Sequence, residues 1–196
     1  MKTHFKYLVL IILIVFTNIG FTQSIYKIQT NDTIDMKLKG TSTMHDWEMD
    51  AITATGEARF TFKTTDEKEL TSLKSLTFNL IVKDLKSDSK ELDKNAYKAL
   101  KTNEFKDIYY TLSTSTLSPQ KESYLFKTNG KLTVAGVTKD IAMDMHVVVS
   151  SNNTIICKGS YKLKMSDYGV EPPSFMMGIM KTGDDTTLDF TVTYIN

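Results

Sequence analysis

Along almost the whole of this 196-residue chain apolar and polar residues alternate one by one. A side-chain repeat of two is what a β-strand with a single buried face requires, because successive side chains leave opposite faces. Ile34, Met36 and Leu38 alternate with Asp35 and Lys37; Gly56, Ala58, Phe60 and Phe62 with Glu57, Arg59, Thr61 and Lys63. The pattern returns at Leu76 to Val82, Ile141 to Val149, Cys157 to Met165 and Leu188 to Tyr194. Polar clusters at Ser118-Pro119-Gln120-Lys121 and Ser151-Asn152-Asn153 are short enough to join neighbouring strands as hairpins, which predicts antiparallel β-structure. Two segments break the rhythm. Ser89 to about Lys101 carries Leu92, Ala96, Ala99 and Leu100 at helical spacing behind a serine suited to an N-cap. Asp167 to Gly183 opens with Asp167-Tyr168-Gly169 and Pro172-Pro173 and ends in Phe175-Met176-Met177-Gly178-Ile179-Met180, read as a loop followed by a short apolar turn or helix. No internal repeat or linker divides the chain.

The N-terminus reads differently from the rest. Lys2 and Lys6 precede the apolar stretch Leu8 to Phe16, which is too short to span a bilayer, and small residues follow at Gly20 and Thr22. This predicts a secretory signal peptide over 1–22 and a mature domain over 23–196, exported to the periplasm or secreted, with no stable membrane span once the leader is removed. Loss of Lys2 and Lys6 from the 24 basic residues leaves 22 against 23 acidic ones. So even a balance offers no electrostatic footprint for nucleic acid or an anionic surface. A single cysteine, Cys157, excludes an internal disulfide, so stability has to come from a core.

Strands with one apolar face bury it either as a two-sheet sandwich or as a closed barrel. Small residues at Gly56, Ala58 and Gly159 lean toward a barrel, and they equally suit a core in which they make room for large neighbours. Catalytic signatures are weak. His45 and Asp46 are adjacent, and in an extended strand adjacent side chains point apart, so they cannot work together as base and orienter. No nucleophile elbow, phosphate loop or metal-ligand spacing is present, and His45, His146 and Cys157 are far apart in sequence. The Asp184-Asp185 pair reads as solvated. The expectation is a protein that is not an enzyme and needs no cofactor. Methionines on apolar strand faces, Met49, Met143, Met145 and Met165, fit either an adaptable lining for an apolar ligand or gap-filling in a dry core.

Several segments in order resemble the YceI-like family. Gly130-Lys131-Leu132-Thr133-Val134-Ala135-Gly136-Val137-Thr138-Lys139 is similar to the family's G-x-L-T-i-x-G-V-T-k hairpin, and Ser166-Asp167-Tyr168-Gly169-Val170 to its x-D-[FY]-G-[IV] turn. Leu100 to Ile108 resembles the family's passage from a short helix through a Phe and an Asp to the next strand, and His45 with Gly56 and Phe60 resembles an early H…G-x-x-x-F pattern. The chain departs from the family in lacking a proline before Ile108 and in the form of Met44-His45-Asp46-Trp47. The resemblance implies an all-β, lipocalin-like antiparallel barrel of about eight strands with one or two short helices. It also implies a non-catalytic role as carrier or store of a long-chain isoprenoid lipid, a polyisoprenoid or quinone, with a homodimer as one assembly. On that reading the residues expected to line the interior are Trp47, Met49, Phe60, Phe62, Phe78, Leu80, Leu112, Met143, Met145, Tyr161, Leu163, Phe190 and Val192, each on the apolar face of its strand. His45 and Tyr110 are the candidates for contact with a polar head group, and Phe175, Met176, Met177 and Met180 for a lid. The competing expectation is a barrel with a filled core that serves as a stress-related interaction module. A weaker third is a small hydrolase or isomerase using His45.

Overall fold

The computed structural model describes residues 21–28, 34–63, 66–150, 154–175 and 179–196. Residues 1–20 of the expected leader, the turn at 151–153, and Met176 and Met177 lie outside them. In chain order the strands are β1 (Phe21–Ile28), β2 (Ile34–Ser42), β3 (Trp47–Ala51), β4 (Thr55–Lys63), β5 (Asp66–Ile81), β6 (Leu85–Lys86), β7 (Asp107–Pro119), β8 (Tyr124–Val134), β9 (Val137–Val149), β10 (Thr154–Lys164), β11 (Ser174–Phe175) and β12 (Met180–Ile195); one helix, α1 (Lys90–Ala99), stands between β6 and β7. Phe21 and Thr22, assigned to the leader from sequence, begin β1 and pair with Lys63 and Phe62.

Eight strands in the order β1-β4-β5-β7-β8-β9-β10-β12 form an antiparallel ring, closed where Lys27 and Ile28 pair with Ile195 and Tyr194. Closure leaves the ring without a free edge. It uses only the last rungs of β12, however. From Val192 back to Thr182 the same edge of β12 pairs with β2, which carries β3 and then β6. The barrel wall is therefore completed differently in its two halves: by β1 and β4 in the lower half, and by β2, β3, β6 and α1 in the upper.

The lower half is packed solid. Phe60, Phe126, Val147 and Ile155 are 0% exposed. The Tyr26 ring meets Phe60 edge-on at 5.6 Å between centroids, Phe60 meets Tyr194 in the same way at 6.5 Å, and Phe62 lies tilted against Tyr26 at 6.1 Å. Edge-to-face pairs of this kind add about 0.5–1.5 kcal/mol each beyond the area they bury. The register between β4 and β5 slips around Phe60 to Lys63, and Thr61 is buried along with its neighbours Phe60 and Phe62.

Helix α1 forms where the sequence places it. The Ser89 hydroxyl accepts from Leu92 N, and Glu91 and Asp93 sit in the first turn, where the helix dipole favours anions. The Tyr97 hydroxyl shares its proton between the carbonyls of Lys83 and Leu85, tying the helix to the turn Val82–Asp84 after β5 and to β6. The hairpin between β8 and β9 turns in two residues, Ala135 at φ 48° and Gly136 at φ 80°, as a type I′ connection demands. A Cβ at Gly136 would fall 2.4 Å from Cε1 of Phe105, so the loop after α1 seats its ring on this turn.

One segment departs from the expectation. Met180 to Gly183 is not a loop or helix but the start of β12, paired with β11 through Ser174–Lys181 and Phe175–Met180 and with β2 through Thr182–Ser42. Pairing with β11 on one side and with β2 on the other holds Met180 to Thr182 extended, and that ladder outweighs the local apolar run.

Candidate functional site

The upper half of the barrel is hollow. Its wall is built from Leu188, Phe190 and Val192 of β12, Cys157, Tyr161 and Leu163 of β10, Ile141, Met143 and Met145 of β9, Thr128 and Leu132 of β8, Ile108, Tyr110 and Leu112 of β7, and Leu76, Phe78 and Leu80 of β5. Met36, Leu38, Trp47 and Met49 of β2 and β3 complete it, with Leu92, Ala96 and Ala99 of α1 on one side and Met165, Tyr168, Val170 and Pro173 across the top. The space measures about 190 Å³ for the centres of water molecules, where a single water needs about 10–15 Å³. That is a lumen rather than a packing defect. The exposure pattern agrees: Leu112, Met143, Tyr161, Leu163, Leu188 and Phe190 point inward yet are only half-buried, because they face open space.

Three glycines keep the lumen open. A Cβ at Gly40 would lie 2.3 Å from Cζ2 of Trp47, at Gly130 2.4 Å from Oη of Tyr110, and at Gly159 2.5 Å from Cζ of Phe190. Each aromatic ring thus occupies the volume that its neighbour's side chain would fill, instead of standing in the lumen. Gly169, left-handed at φ 63°, ends the Ser166–Tyr168 turn and lets both Tyr168 and Val170 turn inward, which is the physical content of the Asp-Tyr-Gly-Val motif.

Among the described residues that line it none carries a charge, and none is Asn, Gln or His. The polar groups in the lining are mostly committed to the wall. Thr128 Oγ1 donates to Met143 O at 2.8 Å, Thr186 Oγ1 to Leu163 O at 3.1 Å, and Trp47 Nε1 to Thr41 O at 3.1 Å. Burial pushes the Cys157 thiol and the phenols of Tyr194 and Tyr168 well above their ordinary ranges, and raises Tyr161 and Tyr110 as well, so all stay neutral at physiological pH. One group is left over. Tyr110 Oη is buried without a well-formed hydrogen bond among the described residues; the hydroxyl beside it, Thr128, already donates its proton to Met143 O.

Of the residues expected to line the interior, Trp47, Met49, Phe78, Leu80, Leu112, Met143, Met145, Tyr161, Leu163, Phe190 and Val192 face the lumen, as does Tyr110. Phe60 and Phe62 do not. They share the inward face, but at the end where β1 closes the ring, and there they form the packed aromatic plug. His45 also falls elsewhere. Thr43 to Asp46 leave the strand as an exposed turn, held by Ser42: its N and Oγ donate to His45 O, and its Oγ accepts from Met44 N and His45 N. The His45 ring contacts Asp46 O through Nδ1 and does not reach the lumen. In an unbroken strand His45 would share the face of Trp47, but a serine that satisfies the backbone locally ends the strand first. Of the expected lid, the Phe175 side chain, Met176 and Met177 lie outside the described residues, and Met180 is half-buried in β12 without lining the lumen. The residues missed from sequence include strand positions such as Met36, Leu38, Leu76, Leu132, Ile141 and Leu188, which share the apolar faces already recognised, and beyond them the α1 face and Tyr168, Val170 and Pro173. The helical spacing of Leu92, Ala96 and Ala99 was the available signal for the α1 face; the last group sits in a turn and shows no periodicity.

A closed antiparallel barrel, plugged at one end and hollow at the other with an uncharged apolar lining among the described residues, defines a lipocalin-like protein with an interior chamber. Residues 33–194 match the YceI-like domain, and the chain belongs to that family. No curated protein matches it. Among solved structures it is similar to BcnA of Burkholderia cenocepacia, with 13% identity over 81% of this chain and 95% of that one at a TM-score of 0.62. It is also similar to a polyisoprenoid-binding domain from Saccharophagus degradans implicated in plant cell wall breakdown (12% identity, 87% and 97% coverage, TM-score 0.63). The YceI protein of Campylobacter jejuni shares 21% identity over 70% of this chain and 79% of its own, at a TM-score of 0.53. At these identities the likeness establishes the fold. No helix among the described residues is long and apolar enough to cross a membrane.

Proposed function

We propose that this protein is a non-catalytic carrier or store of a long-chain isoprenoid lipid, held in the upper half of the barrel. The observation that carries the reading is the lining, in which no side chain is charged and the hydroxyls of Thr128 and Thr186 are turned into the wall. Such a surface gains about 0.8 kcal/mol for each methylene it takes from water, so several isoprene units suffice for tight binding without a charged contact. The solved polyisoprenoid-binding neighbour supports the same ligand class; an isoprenoid quinone is one member of it that the chamber could take. Catalysis has no support at His45, which stands in an exposed turn away from the lumen. The basic and apolar N-terminal segment supports export to the periplasm or medium with loss of residues 1–22.

The test is to purify the exported protein without detergent, extract it with organic solvent and identify what is released by mass spectrometry. A stoichiometric isoprenoid supports the carrier. A protein that yields no lipid, and takes up none when exposed to quinones and polyprenols, refutes it and leaves the interaction module as the better account.

A further inference from the structure

The floor of the lumen holds an unmatched donor. Tyr110 is 6% exposed, its ring rests over Gly130, and its hydroxyl has no well-formed hydrogen bond among the described residues. The neighbouring Thr128 hydroxyl is directed to Met143 O. Along β10 and β12 the next inward residues below Cys157 and Val192 are Ile155 and Tyr194, at the boundary of the packed plug, so this is the blind end of the lumen. Buried hydroxyls are paired in native structures with few exceptions. A ligand with an acceptor oxygen at this level would supply the missing partner.

Resting on the carrier reading above, we propose that Tyr110 is a specificity residue that donates a hydrogen bond to an uncharged acceptor oxygen on the ligand. The lipid enters polar end first, with its isoprenoid tail rising past Met143 and Leu188 toward α1. The acceptor is a carbonyl or ether oxygen, as on a quinone ring. A phosphate or carboxylate head is excluded from this end, because an anion there would meet no cation in the lining.

Tyr110→Phe tests this, since the variant keeps the ring over Gly130 and removes one oxygen. Trp47, the only tryptophan of the chain, lines the lumen and reports binding by fluorescence. Delipidated wild type and Y110F are titrated with a benzoquinone bearing a short isoprenoid tail and with squalene, an isoprenoid without oxygen. The expected result is about a tenfold loss of quinone affinity in Y110F with squalene affinity held within about twofold. The downshifted carbonyl stretch of the bound quinone should also be lost. Delipidated Y110F should melt at or above the wild-type temperature, because an unpaired buried hydroxyl has gone. Equal loss for both ligands would make Tyr110 a packing residue, and no loss for either would remove it from recognition; each overturns the proposal while leaving the carrier standing. Wild type that binds neither ligand overturns the carrier reading together with this one.

Discussion

Gly159→Ala asks the barrel to keep its fold while narrowing its lumen. The added Cβ would stand 2.5 Å from Cζ and 2.9 Å from Cε1 of Phe190, and 3.0 Å from the Asp144 carbonyl. The carbonyl contact is tight but tolerable; the ring contact is not, so Phe190 has to retreat by about 1 Å to restore van der Waals distance. It retreats into empty space, since it borders the lumen. The cost in stability should accordingly sit at the low end of overpacking, about 1 kcal/mol, or roughly 2–4 °C in Tm for a chain of this size. The cost in binding should be larger. If the displaced ring excludes two methylenes of the ligand, about 1.6 kcal/mol is lost, roughly a 15-fold weaker Kd. Titration of the variant with an isoprenoid quinone, followed by Trp47 fluorescence, measures this directly. Gly56→Ala is the contrast: its Cβ would strike the Thr77 backbone carbonyl at 2.4 Å, away from the lumen, so it should cost more stability and leave the affinity of the folded protein unchanged. Affinity within twofold of wild type in Gly159→Ala would refute the view that glycine seats set the width of the chamber.

Phe78→Asp or Met145→Asp places a carboxylate in the uncharged lining and should abolish lipid retention in whatever folded protein is recovered; co-extraction of undiminished lipid would show the inward face to be assigned wrongly. His45→Gln alters an exposed turn, and both lipid content and Tm should match wild type, with Tm read by calorimetry. Ser89→Ala removes the cap of α1 and should cost about 1 kcal/mol in urea unfolding, with the helix side of the lumen losing order first by hydrogen exchange. Burial holds the Cys157 thiol and the Tyr194 phenol neutral in the folded state far above the ordinary values of 9.0 and 10.0 at which the unfolded chain releases these protons. Above about pH 9 the unfolded state therefore binds fewer protons than the folded one, and stability should fall as pH rises; chemical denaturation at pH 7 and pH 10.5 checks the sign, which Cys157→Ala should blunt.

The strands were legible because alternation is a direct projection of the pleat. Ile141 to Val149 and Cys157 to Leu163 turn inward as their periodicity requires. So was α1, whose serine cap and spacing are local signals. What alternation could not carry is position along the barrel axis. Phe60 and Phe190 have the same sequence character and the same inward orientation; one is fully buried in the plug and the other borders the lumen. The difference arises from which strand completes the wall at that height, a long-range property of β12 pairing with β1 at one end and β2 over the rest. His45 was misplaced for the opposite reason. A local hydrogen-bonded turn at Ser42 interrupts a pattern that Trp47 and Met49 then resume.

The division of one barrel into a solid half and a hollow half resolves a conflict that a lipid chamber creates. Every inward side chain facing a void forfeits contacts, and cavities lower stability by about 24 cal/mol for each Å³ left unfilled. A barrel hollow from end to end would lean on its ligand for much of its stability and would tend to unfold on release. Here the aromatic plug of Tyr26, Phe60, Phe62 and Tyr194, with Phe126 and Ile155 at full burial, concentrates the packing where the ring closes. The upper wall is then free to stay open, its glycine seats holding Trp47, Tyr110 and Phe190 back from the lumen. The same arrangement makes the chamber blind. Under the proposed carrier function a ligand enters from the upper half and stops at the level of Tyr110, so the height of the plug, rather than any charged contact, would set how much of an isoprenoid chain fits.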